Sequence, residues 1–508
     1  MKRLHTFIAL ITMMMAVGCS YNELPEEMVI STALTDQISL SVETRAETYE
    51  GFALDQDYFV TVDDLENFVK FRRSSSEKSN LSVKEVKPYG LDSSHTLFYI
   101  LNYDEGWEVV AADKRVQPTL AHGDSGTFTM DCDNEPMKFW MNLLADGVLQ
   151  TRRRTATADI ATTATSTTTS TDSFDVVKSS EEQYVDFWDG ISPTENCTKG
   201  DQIIGPITPP DDTPHFQYLI TTEQRTVYDK IGELLPTKWG QHAPWNAYCP
   251  LKTNGSGLRA PAGCVPVAGA QAIYYLQDYF NLNVLSPTQG TCTGNINNFN
   301  QSLTNLTFSA WNNMTHYIDS YGKLIPYASS TNLTALLIAY VGLLVEVDYG
   351  NNGSGADTMD LPDKVFDCYG INCNTSTEYD SGIIIQNIQN QLPVIMKGVD
   401  AMLFGEGHAW VSDGYQQEFI RTTKYYFRSL MMLTPAQLKE LDKTDANQIV
   451  VEDSLVAEYI HMNWGWDGSQ NGWFSLLPEN WWLIDDEGDD FRLRYYIKMI
   501  YDFQPKNQ

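Results

Sequence analysis

Basic residues are scarce in this chain: 34 Lys and Arg stand against 66 Asp and Glu, a formal charge of −32. That balance repels phosphate, which excludes a nucleic-acid partner and favours solubility. Long apolar runs are scarce too. The run from Phe7 to Val17 is too short for a stable bilayer anchor, and the apolar segment from Ala335 to Val345 reads as a buried element. No cysteine–histidine cluster has zinc spacing, so neither a metal nor another cofactor is expected. Histidine is sparse, with eight in 508 residues.

Apolar residues make up 42% and aromatics 12% of the chain, ample for buried cores. The length exceeds what one compact core organises, which predicts two or three folded units. Lys2 and Arg3 precede the Phe7–Val17 run, and Gly18 and Cys19 follow it, as in a lipoprotein signal whose cysteine is lipidated. Ala16 is a weaker lipobox match than leucine. Plain secretory cleavage is the other reading, and both export the chain. The expected location is the outer membrane or cell surface, otherwise secreted or periplasmic, with membrane contact only through Cys19.

Export permits disulfides. The eight cysteines are Cys19, Cys132, Cys197, Cys249, Cys264, Cys292, Cys368 and Cys373. Without Cys19 the number is odd, so at least one thiol is free. If that thiol is Cys264, six remain to pair, and Cys368 and Cys373 are close enough in sequence to do so.

Residues 1–19 form the signal, and 20–57 are polar and poorly periodic, suiting a tether. A small α+β unit follows over 58–150. Thr96 to Tyr103 and Trp107 to Ala112 flank Asp104-Glu-Gly as a hairpin, and Met137, Trp140, Met141 and Leu144 share one helix face. Residues 151–227 read as a flexible activation linker. They open on Arg152-Arg153-Arg154 and a Thr/Ser/Ala run, an invitation to proteolysis or a plain basic patch. The C-terminal unit, 228–508, carries the chemistry.

In Pro261-Ala-Gly-Cys-Val-Pro-Val-Ala-Gly-Ala-Gln, a loop ends at Gly263 and a helix begins at Cys264. Pro266 fits because the first helical turn leaves its missing N–H unused. A thiol at a helix N-terminus is drawn toward thiolate by unpaired N–H groups and the helix dipole. Taken alone, such a cysteine is more often a buried structural residue. The second piece is Gly405-Glu-Gly-His-Ala-Trp-Val, with His408 at the mouth of a short buried strand. It lies 144 positions after Cys264, within the roughly 130–150 of papain-like chains. The third is His461-Met-Asn-Trp-Gly-Trp-Asp-Gly, in which Asn463 is suited to accept the second ring N–H of His408 and Trp464 to cover that bond. His461 itself reads as structural. The fourth is Thr237-Lys-Trp-Gly-Gln, where the Gln241 amide and the Cys264 N–H supply two oxyanion donors.

The order Gln, Cys, His, Asn is that of the papain-like fold, and these residues resemble the streptopain family of bacterial cysteine proteases. The matching segments are Thr237 to Gln241, Gly263 to Val265 with the Ala-rich helix and Gln271, Val347 to Gly350, Gly407 to Ala409 with Asp413-Gly414, and His461 to Trp466. The resemblance implies a Cys264–His408 dyad, Gln241 in the oxyanion site, and Asn463 and Trp464 beside the histidine. The N-terminal unit is similar to that family's inhibitory propeptide through Phe98 to Tyr103, Gly106 to Arg115, Leu120 and Gly126 to Phe128. Two segments depart from the family: an apparent insertion from Gln416 to Tyr459, and Asn480 to Asp490 where a Gly-rich loop is expected.

The resulting expectation is an α+β fold: a papain-like cysteine protease domain behind a small α+β inhibitory propeptide domain, made as a self-inhibited zymogen. Its partners are protein or peptide substrates and its own propeptide. Two rivals retain the same residues: a papain-like acyltransferase or amidase, and a catalytically silent surface binding protein on this fold.

Overall fold

The computed structural model describes residues 43–44, 56–75, 82–90, 96–161, 180–191, 203–207, 215–282, 311, 314–318, 324–325, 332–400, 407–477 and 495–506. The expected signal with Cys19, the bulk of the tether, Cys197, Cys292 and the 480–490 segment lie outside the described residues.

The N-terminal unit starts with α1 (Val62–Ser75) and continues through β1 (Val83–Gly90), β2 (Thr96–Tyr103), β3 (Trp107–Ala111) and β4 (Thr119–Gly123). β2 and β3 form the hairpin expected around Asp104-Glu-Gly, with Asn102 opposite Trp107. Gly106 closes that turn at φ 82°, and a side chain there would strike the Gly123 backbone. Helix α2 (Glu135–Ala161) buries Met137, Trp140, Met141 and Leu144, the predicted stripe. It runs on through the tribasic site, where a linker was expected. Arg152 is buried: its Nε lies 3.2 Å from Asp113 Oδ2 and its Nη2 donates to Ala112 O at 2.6 Å. Arg152 is therefore no part of a solvated basic patch. The rest of the expected linker holds α3 (Ser180–Ile191), a short strand Ile203–Ile207, and most of β5 (His215–Gly232).

The C-terminal unit sets α4 (Cys264–Tyr279) and α5 (Asn332–Leu344) against a sheet of β6 (Ile371–Ser376), β7 (Val394–Asp400), β8 (Gly407–Ser429), β9 (Gln448–Asn463), β10 (Gly472–Ser475) and β11 (Tyr495–Pro505). Helix α4 is nearly all buried, and its small residues allow close approach. At Gly269 a side chain would meet Leu361 and Val341.

Both units share one sheet, in the order β1-β2-β3-β4-β10-β9-β8-β7-β11-β6, with β5 also paired to β8. The joint is β4 on β10, where Trp473 opposes His122 and Phe474 opposes Ala121. One core, with Ala409, Val411 and Ile395, packs under α4. The other joins Trp410, Met462, Trp464 and Phe474 to Phe139, Trp140 and Met141 of α2. Alternation along β8 thus gives one face to the Cys264 helix and the other to the N-terminal unit. The expected insertion at 416–459 is a long β8–β9 hairpin that borrows β5 as a third strand.

Candidate active site

Gly263 ends the loop before α4 at φ 92°, a left-handed conformation, and a side chain there would press on Ser354 O at 3.0 Å. Glycine therefore allows the turn that puts Cys264 at the start of the helix. The Cys264 sulfur accepts a hydrogen bond from the Ala409 N–H at 3.3 Å. The sulfur thus lies against the strand position that follows His408, and the two segments expected to carry the dyad are brought together.

Charge around the thiol is divided. Burial pushes the Cys264 thiol up, while the N–H groups of Ala409, Val265 and Cys264 and the Lys397 cation pull it back, with the net above an ordinary cysteine. The helix N-terminus acts in the direction read from the sequence, but here burial outweighs it. Lys397 was not foreseen. It opposes Ala409 across the β7–β8 ladder and pairs with Asp357 at 2.8 Å.

His408 opposes Gly398 in the same ladder. A side chain at Gly398 would collide with the Phe139 ring, so α2 is packed onto the rung that holds His408. Phe139 and Trp140 also stack around Trp410, with ring centroids 5.9 and 6.2 Å away.

Gln241 is buried, and its backbone carbonyl accepts from the Ala262 N–H at 2.8 Å. That bond ties the Thr237–Gln241 segment to the loop two residues before Cys264. Asn463 is buried opposite Val411. Its Oδ1, suited in sequence terms to His408, accepts from Gln271 Nε2 at 3.2 Å and from the Gly465 N–H at 3.3 Å. Its Nδ2 donates to Thr237 O at 2.6 Å. Trp464 is fully buried between Trp410 at 5.6 Å and Phe474 at 5.0 Å, and its indole N–H donates to Gln470 O at 2.9 Å. His461 sits 2.6 Å from the buried Asp413 carboxylate, which also accepts from the Leu235 N–H, a structural brace as anticipated.

Cys368 and Cys373, close enough in sequence to pair, are not joined to each other: Cys373 is a thiol, as are Cys132, Cys249 and Cys264, and the Cys368 sulfur donates to Lys364 O at 3.3 Å. Burial pushes the Cys373 thiol up to about 12 and Cys249 up to about 11, so neither is a ready nucleophile.

A second polar cluster lies at the seam between the units. Arg72 of α1 pairs with the buried Glu418 of β8, lies 3.2 Å from Glu108, and donates to Thr119 Oγ1 at 2.7 Å. Tyr459 donates to Glu418 at 2.7 Å, and His122 of β4 lies 2.8 Å from Gln416 Oε1. Burial pushes the Glu418 carboxyl up, but Arg72 and two hydrogen bonds pull it further down, below the usual glutamate range. None of these partners was foreseen: Arg72 and Glu418 are 346 positions apart in sequence, and His122 and Gln416 are 294 apart.

The family model of the Peptidase C10 family matches residues 239–474, and that of the Spi protease inhibitor matches residues 65–148. Among solved structures, a mutant fragment of prointerpain A from Prevotella intermedia is 19% identical at TM-score 0.43, covering 82% of this chain and 98% of its own. Active wild-type interpain A from the same organism is 22% identical at TM-score 0.32, covering 53% of this chain and 94% of its own. No curated protein sequence matches the chain.

Proposed function

We propose that this cysteine peptidase, matched by the Peptidase C10 family model over residues 239–474 and by the Spi protease inhibitor model over residues 65–148, is an exported endopeptidase zymogen acting through Cys264 and His408. The observation that carries this reading is the Cys264 sulfur, at a helix start, bonded to the backbone N–H next to His408.

In the proposed reaction His408 takes the thiol proton and the Cys264 sulfur attacks a peptide carbonyl. The Gln241 amide and the Cys264 N–H receive the developing oxyanion, the site where one donor is worth about 2.7–4 kcal/mol. His408 returns the proton to the leaving amine, and water hydrolyses the thioester with His408 as base. Trp464 packs on Trp410, two positions after His408 on the same strand, which supports its proposed place beside the histidine. The helix α2 contact at Gly398 supports intramolecular inhibition, because it presses the N-terminal unit onto the rung of His408. Export, and a lipid anchor at Cys19, rest on the N-terminal sequence alone.

A peptidyl epoxide should label Cys264 in the matured protein, and Cys264→Ala should accumulate at full length if maturation is autocatalytic. Mass spectrometry of both forms checks this. An unlabelled Cys264 would favour a silent binding protein, and crosslinked rather than hydrolysed substrate would favour an acyltransferase. Normal maturation of Cys264→Ala would assign processing to another protease.

A further inference from the structure

Gln271 lies seven residues into α4 after Cys264 and is fully buried. Its Oε1 accepts from Thr237 Oγ1 at 2.9 Å and from the Trp239 N–H at 3.2 Å. Its Nε2 donates to Asn463 Oδ1, and Asn463 Nδ2 donates back to Thr237 O. The three residues close a circuit: Thr237 to Gln271, Gln271 to Asn463, Asn463 to Thr237.

An amide has one accepting and one donating end, so in a closed circuit the orientation of each fixes the others. The circuit touches every segment the proposed chemistry needs. Thr237 and Trp239 precede Gln241 on one short stretch. Gln271 belongs to the helix that begins at Cys264. Asn463 pairs through β9 with Val411, two positions from the Ala409 N–H that meets the sulfur. Of the other buried positions of α4, Tyr274 sets its hydroxyl 2.8 Å from His316 Nε2, Gln277 donates from Nε2 to its own helix at Tyr274 O, and the rest are small or apolar. A buried glutamine bridging two other segments is costly unless its hydrogen bonds are complete, and here both ends are used.

We infer that Gln271 is a positioning residue for the proposed oxyanion site: its amide sets the orientation of the Asn463 amide and the placement of the Gln241 segment relative to Cys264. It touches no substrate. The inference rests on the protease reading, and its test separates the two.

Full-length chains carrying Gln271→Met, Gln271→Glu and Thr237→Val are matured and their active thiol is titrated with a peptidyl epoxide. Peptide hydrolysis and iodoacetamide alkylation of Cys264 are then measured. Misplacing a reacting group costs up to about 100-fold. Gln271→Met and Gln271→Glu should therefore lower kcat by roughly 10- to 100-fold with KM within about twofold. Alkylation needs the thiolate but no oxyanion donor, and should stay within about twofold of the unsubstituted chain. Gln271→Glu keeps the accepting end and loses the donor to Asn463. Its kcat relative to the unsubstituted chain should therefore recover as pH falls and the carboxyl regains a proton to donate. Thr237→Val removes one donor and leaves the helix core untouched, so a smaller fall of the same kind is expected even if Gln271→Met fails to fold. Unchanged kcat in Gln271→Glu and Thr237→Val would overturn the inference, as would equal losses of turnover and alkylation. An unsubstituted chain lacking thiol-dependent turnover would overturn the protease reading itself.

Discussion

Lys397 and Asp357 make a charge pair beside the thiol, and the two members act on it in opposite directions. The Lys397 cation stabilises the Cys264 thiolate, and Asp357, 2.8 Å from the Lys397 ammonium, carries the charge that opposes it. A through-space attraction of about 1 kcal/mol corresponds to roughly a fivefold change in thiolate population. Lys397→Met should therefore move the alkylation profile of Cys264 in the matured protein to higher pH and slow the reaction about fivefold on the acid side. Asp357→Asn should move it to lower pH. Two shifts in the same direction would show that packing, not charge, governs the effect. At this scale the sequence was most informative about residues that local backbone chemistry controls: Gly263, Cys264 and Pro266 announce a helix start by themselves. Lys397 carries no such signal, because only the β7–β8 register brings it opposite Ala409. The Asn463 amide was legible as a site residue, but its partners Gln271 and Thr237 depend on how three distant segments meet.

Elements with strong local patterning were readable in the same way. The β2–β3 hairpin follows from its turn, and the α2 stripe from its spacing, but α2 overran its predicted end because Asp113 offers Arg152 a buried partner. The β5, β8 and β9 arm was opaque. It is half exposed on both faces, so period-2 alternation is weak, and its pairing spans about 200 positions. That arm supplies Glu418, against which α1 inserts Arg72. Removing one member of a buried ion pair leaves the other charge without compensation, at a cost of about 3–5 kcal/mol. Arg72→Met in a full-length Cys264→Ala background should lower stability by that order in urea titrations. Combined Arg72→Met and Glu418→Gln should recover part of it, since the more deeply buried of the two orphaned carboxylates is then gone and only Glu108 remains. If the double substitution is as damaging as the single, the guanidinium acts by packing alone.

For the whole molecule, release of the N-terminal unit means parting the β4–β10 joint together with the core that α2 shares with the C-terminal sheet, and the joint has a titratable lining. Burial holds His122 below the ordinary histidine value of 6.5, although Glu418, Glu108 and Asp124 all favour its charged form. Tyr459 and Tyr228 flank its ring at 4.9 and 5.9 Å. A histidine lowered in the folded state contributes stability that is full above its unfolded value. That contribution shrinks as pH falls below 6.5, because the open chain binds a proton that the closed one resists. Glu418 is lowered as well, so its contribution is full above the ordinary glutamate value of 4.5 and is lost as pH drops further. Both signs point the same way: acid loosens the precursor, first through His122 and then through Glu418. In full-length Cys264→Ala, urea midpoints should hold steady above pH 6.5 and decline below it. His122→Gln can still donate to Gln416 but cannot be charged, so the upper part of the decline should flatten while the lower part persists. Parallel pH profiles for the two proteins would remove His122 from the seam's response to acid and leave the carboxylates to account for it.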